Sequence, residues 1–190
     1  MLTIEWFEGP RDALDDLFAL ADGSRAAVLG YRELGRVLVA RDGPATIGQL
    51  QLIPGETEGE AEVKSLAVRE DRQGEGVGRL LMNHAIAICR EEGISTILLS
   101  TSPADARVLH FYQRLGFRLL RVVRDVFTPE AGYADVAIDG FRSATRSGCR
   151  SRSRSAVRRR RAGEATCSCA WPVIPNAWTS WCGSTGTASA

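Results

Sequence analysis

The chain changes its hydrophobic period across residues 60–92, and three glycines mark the point of change. Apolar residues alternate over 60–69, which predicts a strand, and recur at helical spacing over 76–92, which predicts a helix. The junction reads Gln73-Gly-Glu-Gly-Val-Gly78. Glycine lets backbone amides approach a ligand closely, and the N-terminus of a helix adds partial positive charge. The junction therefore favours a turn that binds a phosphate or pyrophosphate group, with Arg72 or Arg79 as an additional contact.

Two common phosphate-binding motifs do not fit this junction. A P-loop needs Gly-Lys-Ser/Thr, which is absent, and a Rossmann turn needs G-x-G-x-x-G, whereas Gly74, Gly76 and Gly78 are spaced two apart. The Rossmann turn also usually follows the first strand of its sheet, but several predicted strands precede this one. On the glycines alone, a simple turn without a ligand stays an alternative.

The rest of the pattern predicts a mixed α/β (α+β) domain over residues 1–140. Predicted strands cover residues 2–7, 36–41, 45–53, 60–69, 94–100 and 117–127. Predicted helices begin near residues 9, 24, 76 and 102, the last with Ser102 as its N-cap. This order predicts a mostly antiparallel sheet, flanked by helices, whose second half is a βαβ unit.

The segment 141–190 differs in composition from the segment before it. Nine of the 24 basic residues but only one of the 23 acidic residues lie from Arg142 onward, so residues 1–141 carry about −7 and the tail about +8. Apolar periodicity ends near residue 141. If G/C-rich codons encode residues 141–147, reading them one nucleotide out of phase gives a peptide that could continue the chain as a strand. We interpret 141–190 as an Arg/Ser-rich tail that is disordered or the product of a frameshift, which would leave the sheet without its closing strand. Binding of nucleic acid by the arginine tract is the less favoured interpretation.

No stretch of about 18 apolar residues suggests a membrane span. The first residues also lack the basic and apolar regions of a signal peptide. We therefore expect a cytoplasmic protein. A lone cysteine in the body, Cys89, fits a buried apolar position, and Cys167-Ser-Cys169 is not a standard zinc spacing, so no metal is expected.

Two segments together resemble the GCN5-related N-acetyltransferases, the GNAT family. Gln73-Gly-Glu-Gly-Val-Gly78 is similar to the hallmark Gln/Arg-x-x-Gly-x-Gly/Ala of that family. The later Phe111-Tyr-Gln-Arg-Leu-Gly-Phe117, preceded by Ala106, resembles its second signature. The two signatures stand in the family's order, with one helix and one strand between them, and the resemblance covers roughly residues 2–140.

The resemblance implies that acetyl-CoA is the cosubstrate and that the fourth and fifth strands splay into a V that accepts its pantetheine arm. The backbone of the fourth strand would bind the pantetheine and polarise the thioester carbonyl, and the amides of the glycine junction would bind the pyrophosphate. The cofactor-binding residues implied are Leu66, Ala67, Val68, Gln73, Gly74, Glu75, Gly76, Val77, Gly78 and Arg79.

Direct attack of an amine on the thioester requires a base, a stabilised oxyanion and protonation of the leaving thiolate. The resemblance implies that the hydroxyl of Tyr112 protonates the departing thiolate or donates a hydrogen bond to it. The alternative is that Tyr112 is only a core residue of its helix. Glu60 and Glu62 are the candidates for the base, with solvated carboxylates as the alternative. His84 fits a core histidine better than a base, and His110 lies about 160° from Tyr112 around the helix.

These features predict an N-acetyltransferase that acts on a primary amine of a small molecule or peptide, with no membrane partner. The sequence is compatible with a homodimer. The alternative function is a non-catalytic acyl-CoA-binding or regulatory module on the same fold. The acceptor is not readable, because the loops expected around it, residues 22–35 and 128–136, contain no diagnostic motif.

Overall fold

A computed structural model describes residues 1–102, 105–122, 128–133, 137–138, 141–142 and 168–172. Within these residues, the alternating and helical apolar patterns of the sequence form nine strands and four α-helices. The strands are β1 (Leu2–Trp6), β2 (Arg36–Asp42), β3 (Ala45–Pro54), β4 (Glu60–Val68), β5 (Thr96–Ser100), β6 (Arg118–Arg121), β7 (Ala137–Ile138), β8 (Phe141–Arg142) and β9 (Ser168–Pro172). The helices are α1 (Asp15–Ala21), α2 (Arg25–Tyr31), α3 (Val77–Glu91) and α4 (Ala106–Arg114).

Seven of these strands form one sheet in the order β1-β2-β3-β4-β5-β9-β6. Neighbouring strands are antiparallel except for β4 and β5, which are parallel and joined through α3. A parallel pair needs such a crossover, whereas β2 and β3 are joined by a tight turn. The predicted class, a mixed and mostly antiparallel sheet flanked by helices, is confirmed.

Each face of the sheet is covered by a different pair of helices. On one face, Leu81 and Met82 of α3 and Tyr112 of α4 belong to a buried cluster with Leu50 and Ile97. On the other face, Leu17 and Phe18 of α1 and Val28 and Tyr31 of α2 pack against Val37, Val39 and Ala67. Both faces of β3 and β4 are therefore buried, and polar groups on them need partners within the protein.

The expectation that Ser102 caps α4 is wrong. The helix begins at Ala106, and the carboxylate of Asp105 accepts hydrogen bonds from the backbone N–H groups of Arg107 and Val108 at 3.1 and 3.0 Å. Asp105 satisfies two N–H groups that the first turn of a helix otherwise leaves without a partner, so it defines the start.

The C-terminal part of the sheet also differs from the expectation. The strand predicted over 117–127 is described as β6 at Arg118–Arg121, and residues 123–127 lie outside the described residues. The structure places β9 between β5 and β6, in a segment to which the sequence analysis assigned no strand. The interpretation of 141–190 as a disordered or frameshifted tail concerns mostly residues outside the described ones and stays a prediction.

Gly35 offers a direct test of how the turn before β2 is built. Gly35 and Gly43 both have a φ of 57°, but a Cβ on Gly35 would lie 2.0 Å from the carbonyl oxygen of Leu52, whereas nothing lies within 4 Å of one on Gly43. We expect Gly35→Ala to lower the free energy of unfolding by about 1–3 kcal/mol more than Gly43→Ala, because both variants share the backbone strain and only the first adds a clash. Urea denaturation of the two variants measures the difference, and equal losses would contradict this description of the turn.

Candidate functional site

The parallel strands β4 and β5 are paired along only part of their length. Residues Glu60–Val63 of β4 pair with Thr96–Leu99 of β5, and the remaining five residues of β4 extend beyond the last pair. At about 3.3 Å per residue, the strand leaves roughly 16 Å of edge without a partner on the β5 side. The register of β4 with β3 shifts at the same point, where Lys64 is an extra residue. The splayed pair that the resemblance implied is present.

Hydrogen bonds at the end of β4 show which backbone groups face this gap. Arg69 donates its N–H to the carbonyl oxygen of Ile47 in β3 at 2.9 Å. Because backbone groups of successive strand residues point to opposite sides, those of Ala67 face β3 and those of Leu66 and Val68 face the gap. Leu66 and Val68 therefore present their backbone groups to the gap, whereas the backbone groups of Ala67 face β3.

The carbonyl oxygen of Val68 already accepts a hydrogen bond from Nε2 of Gln73 at 3.0 Å. This bond joins the end of β4 to the start of the glycine junction across five residues. An amide is suited to this position because it can donate to the strand and still accept a bond from a ligand. The side chain of Gln73 thus keeps the glycine junction beside the gap between β4 and β5.

Two of the three glycines adopt a conformation that other residues rarely take. Gly74 and Gly76 have φ values of 82° and 85°, and nothing lies within 4 Å of a Cβ built on either, so their outer surfaces are open. Gly78 is already inside α3, where a Cβ would lie 3.5 Å from Cζ of Phe111 in ordinary contact. The first two glycines therefore shape an open concavity, whereas a Cβ on the third would fit against α4 without a clash.

The N-terminus of α3 opens onto this concavity. Gly76 is its N-cap, and the first backbone bond of the helix runs from the N–H of Leu80 to the carbonyl oxygen of Gly76 at 3.0 Å. The N–H groups of Val77, Gly78 and Arg79 precede that bond and have no acceptor within the helix. With the helix dipole behind them, these groups make the N-terminus of α3 a candidate anion site.

Arg72 braces the junction. Its guanidinium donates to Glu75 at 2.9 Å and to Asp42, at the end of β2, at 3.1 Å. The Met1 ammonium and then Arg72, both hydrogen bonded to Asp42, hold the pKa of that carboxyl below its ordinary value. Arg79 is exposed and, among the described residues, has no ion pair. Of the two arginines proposed for a phosphate contact, Arg72 is engaged in two ion pairs, and Arg79 has none with the part of the chain that the structure describes.

Tyr112 lies at the buried side of α4. The residue is 8% exposed, and its ring packs edge to face against Phe111 and Phe117, with centroids 5.1 and 5.9 Å away. Phe117 follows the turn at Gly116, so the second signature fixes the orientation of this ring through contacts within one segment. Burial in the core suits both interpretations of Tyr112, and its role with the thiolate stays a prediction.

Glu60 and Glu62 occupy the same face of β4, as expected from the two-residue period of a strand. Glu62 is paired with Leu98 of β5 and lies two residues nearer the gap than Glu60. Its carboxylate accepts a hydrogen bond from Nζ of Lys64 at 3.2 Å. Among the described carboxylates of β4, Glu62 is the one nearest the gap. The interpretation of His84 as a core residue is wrong, because its side chain is exposed.

Sequence reasoning missed the polar residues on the α1–α2 face of β4. Nε2 of the buried Gln49 donates to Oγ of Ser65 at 2.6 Å, and the buried Tyr31 lies beside Ser65. The hydroxyl of Tyr133 lies 3.4 Å from Oδ2 of Asp22. The alternation of residues along β4 predicts that Ser65 lies on a buried face of the sheet. No local sequence pattern, however, links Ser65 to residues of α2 or of the 128–133 segment.

The open edge of β4 and the anion site of α3 together define an acyl-CoA-dependent acyltransferase fold. The sequence profile described as the acetyltransferase (GNAT) family matches residues 2–117, and the chain belongs to this family. In the part of the chain that the structure describes, no helix has the length and apolar character to cross a membrane.

Relatives by sequence include the N-acetyltransferase YvbK of Bacillus subtilis, which is 33% identical over 66% of this chain and 81% of its own length. The ribosomal protein bS18-alanine N-acetyltransferase of Salmonella typhimurium is 29% identical over 57% of this chain and 71% of its own length. A Bacillus subtilis acetyltransferase solved in complex with CoA has a TM-score of 0.72 at 25% identity, over 92% of this chain and 100% of that one. The IAA acetyltransferase of Bacillus cereus shares the fold, with a TM-score of 0.72 at 23% identity, over 91% and 100% of the two chains.

A carboxylate placed at Gly76 tests the anion site. We expect Gly76→Asp to weaken CoA binding by at least about 100-fold, because like charges brought together cost several kcal/mol. Gly93→Asp is the matched control, since Gly93 also has a positive φ of 74° and open space around its Cβ. It lies beyond the other end of α3, whose 15 residues span about 22 Å. Calorimetric titration with CoA measures both variants; wild-type affinity of Gly76→Asp would refute the assignment.

Proposed function

We propose that this protein is an N-acetyltransferase that transfers the acetyl group of acetyl-CoA to a primary amine of a small molecule or peptide. The observation that carries the proposal is that the open edge of β4 continues directly into the glycine junction. An extended arm with a pyrophosphate at its end matches a strand edge followed by an anion site. Structures of the same fold have been solved with CoA or acetyl-CoA bound.

The residues present fit this cosubstrate. The outward N–H and C=O groups of Leu66 and Val68 would bind the pantetheine arm as a strand binds its neighbour. The N–H groups from Gly74 to Arg79 would bind the pyrophosphate, and no Cβ of Gly74 or Gly76 obstructs them. Bound acetyl-CoA supplies a thioester that an amine can attack directly.

Two proton movements are assigned to this chain. Glu62 takes a proton from the attacking amine, directly or through a water molecule, because it lies closest to the point where β4 leaves β5. Tyr112 donates its hydroxyl proton, or a hydrogen bond, to the leaving thiolate. The N–H of Leu66 faces the gap and is a donor for the developing oxyanion. Glu60 is the second candidate for the base, two residues further from the gap.

Release of CoA with a panel of amines tests the function. The panel contains amino acids, polyamines, aminoglycosides and peptide N-termini, and the expected result is CoA release that depends on one class of amine. The alternative, a non-catalytic acyl-CoA-binding module, predicts acetyl-CoA binding without release for every class. The cytoplasmic location and the homodimer stay predictions from the sequence.

Removal of the Tyr112 hydroxyl separates its two interpretations. Tyr112→Phe keeps the ring contacts with Phe111 and Phe117, so we expect a folded protein with an unchanged KM for acetyl-CoA. If the hydroxyl protonates the thiolate, kcat falls by about 100-fold, the lower part of the range for general acid catalysis. Steady-state kinetics measures both constants, and an unchanged kcat would assign Tyr112 to packing alone.

The two carboxylates of β4 can be distinguished by the same kinetics. We expect Glu62→Gln to lower kcat by about 100-fold and Glu60→Gln to lower it far less, because Glu62 lies nearer the gap. Each substitution removes one charge and keeps the shape of the side chain, so each controls for the other. A larger loss for Glu60→Gln would reverse the assignment, and no loss in either variant would remove both from the mechanism.

A further inference from the structure

Lys64 is the single lysine of this chain. Of the 24 lysine and arginine residues, 23 are arginines. A guanidinium stays protonated near neutral pH and does not act as a nucleophile, whereas the amine of a lysine can lose its proton and attack a carbonyl group. Among the side chains of the chain, Lys64 is therefore the one that offers a primary amine, which is the group that the proposed reaction consumes.

This lysine stands at the point where β4 leaves β5. Val63 is the last residue of β4 that pairs with β5, and Lys64 is the extra residue at the shift of register against β3. A bulge redirects the side chain that it carries. The amine is thus attached to the first residue of the open edge, two residues before Leu66, whose backbone groups face the gap.

Two groups hold the Nζ atom of Lys64 on the α1–α2 face of the sheet. Nζ donates a hydrogen bond to Oε1 of Glu62 at 3.2 Å, and it lies 5.7 Å from the ring centroid of Tyr31, which belongs to the cluster on that face. The distance to the ring is within the range of a cation–π contact. The lysine side chain is still 34% exposed, so these contacts do not enclose it. Nζ therefore lies beside the carboxylate that is proposed to take a proton from an attacking amine.

The amine is also close enough to reach a carbonyl group bound at the open edge. The Cα atoms of Lys64 and Leu66 are about 6.6 Å apart along the strand, and the flexible four-carbon stem of a lysine spans a distance of that size. The N–H of Leu66 is the proposed donor to the oxyanion, so the carbonyl group of a bound thioester would lie beside it. Tyr112, the proposed proton donor to the thiolate, belongs to the cluster on the opposite face. The attacking amine and the proton donor are therefore on different sides of the sheet.

We propose that Lys64 is a modification site, whose Nζ accepts the acetyl group of the acetyl-CoA bound to the same chain. The inference rests on the proposed function and adds an acceptor within the protein itself. Nζ forms a bond to the carbonyl carbon of the acetyl group, and the bond from that carbon to the CoA sulfur breaks. Of the two protons that the ammonium gives up, one goes to Glu62 and from there to solvent, and the other goes to the sulfur. The product is a neutral amide, which ends the ion pair between Lys64 and Glu62.

Peptide mass spectrometry of the full chain after incubation with saturating acetyl-CoA tests the proposal. We expect one acetyl group on the peptide that contains Lys64, with a first-order rate constant that does not change with protein concentration. Peptide mapping separates this site from the α-amine of Met1. Lys64→Arg keeps a positive charge beside Glu62 and should abolish the modification. Glu62→Gln should slow it by about 100-fold, the lower part of the range for general base catalysis.

Arg118→Lys supplies a matched control for uncatalysed acetylation. Arg118 is exposed and lies on β6, which is three strand positions from β4, or about 14 Å across the sheet. The substitution keeps the positive charge and adds an amine that is open to solvent but distant from Glu62. We expect acetyl-CoA to modify Lys64 at least about 100-fold faster than the introduced lysine.

Protection by CoA gives a readout that involves no transfer from the cosubstrate. Acetic anhydride in limiting amount labels the lysine of the free protein, and CoA bound along β4 should slow the labelling of Lys64 several-fold. In Arg118→Lys, the introduced lysine should be labelled at the same rate with and without CoA. This measurement locates the amine relative to the bound cosubstrate even if no acetyl transfer takes place.

The proposal is overturned if Lys64 gains no acetyl group, if the rate constant rises with protein concentration, or if CoA does not protect Lys64. CoA release with the panel of amines reports the proposed function separately, because self-modification releases at most one equivalent of CoA per chain. Release beyond one equivalent without modification of Lys64 would leave the acetyltransferase assignment standing and remove the modification site. Modification of Lys64 without further release for any amine would keep the site and refute transfer to a separate acceptor.

Discussion

β4 gains one residue, Lys64, against β3 and parts from β5 at the same position. A strand with an extra residue bends and twists more strongly, so it cannot remain in register with neighbours on both sides. Pairing with β3 is kept, and pairing with β5 is lost after Val63. This single irregularity produces a buried strand with an open polar edge in the middle of the sheet, which a regular sheet does not contain. The open edge of β4 and the positions of Glu60 and Glu62 relative to the gap both follow from it.

Two side chains hold the glycine junction in place beside that edge. Gln73 joins it to the last residue of β4, and Arg72 joins it to Asp42 at the turn after β2. The arginine is at the surface, where each ion pair contributes little by itself, but two of them on one guanidinium restrict its orientation. The two glycines with positive φ leave the outer surface of the junction open, because no side chain covers it. Binding of the donor therefore relies on backbone groups.

Much of the fold and the donor site could be predicted from the sequence. The change of period around Gly74 and Gly76 located β4, α3 and the two glycines with positive φ, because helix and strand periodicity and the need for glycine at positive φ are local properties. The start of α4 was misplaced for a local reason too, since Ser102 and Asp105 are both good caps and only geometry selects between them. The strand at Ser168–Pro172 was missed because its composition gives no strand signal and its pairing partners, β5 and β6, lie far away in sequence.

The sequence by itself determined the family, the class of donor and the elements that carry the donor site, since these depend on residues that are neighbours along the chain. Only the tertiary structure decided which backbone groups of β4 face the gap and which side chains border it on the other face. Asp22 and Tyr133 are separated by 111 residues, and Tyr31 meets Ser65 only when α2 packs on the sheet. Such contacts leave no periodic trace in the chain. The donor motif could be recognised before the fold was known, whereas the contacts of Asp22 with Tyr31 and Tyr133 exist only once α2 and the 128–133 segment have come together.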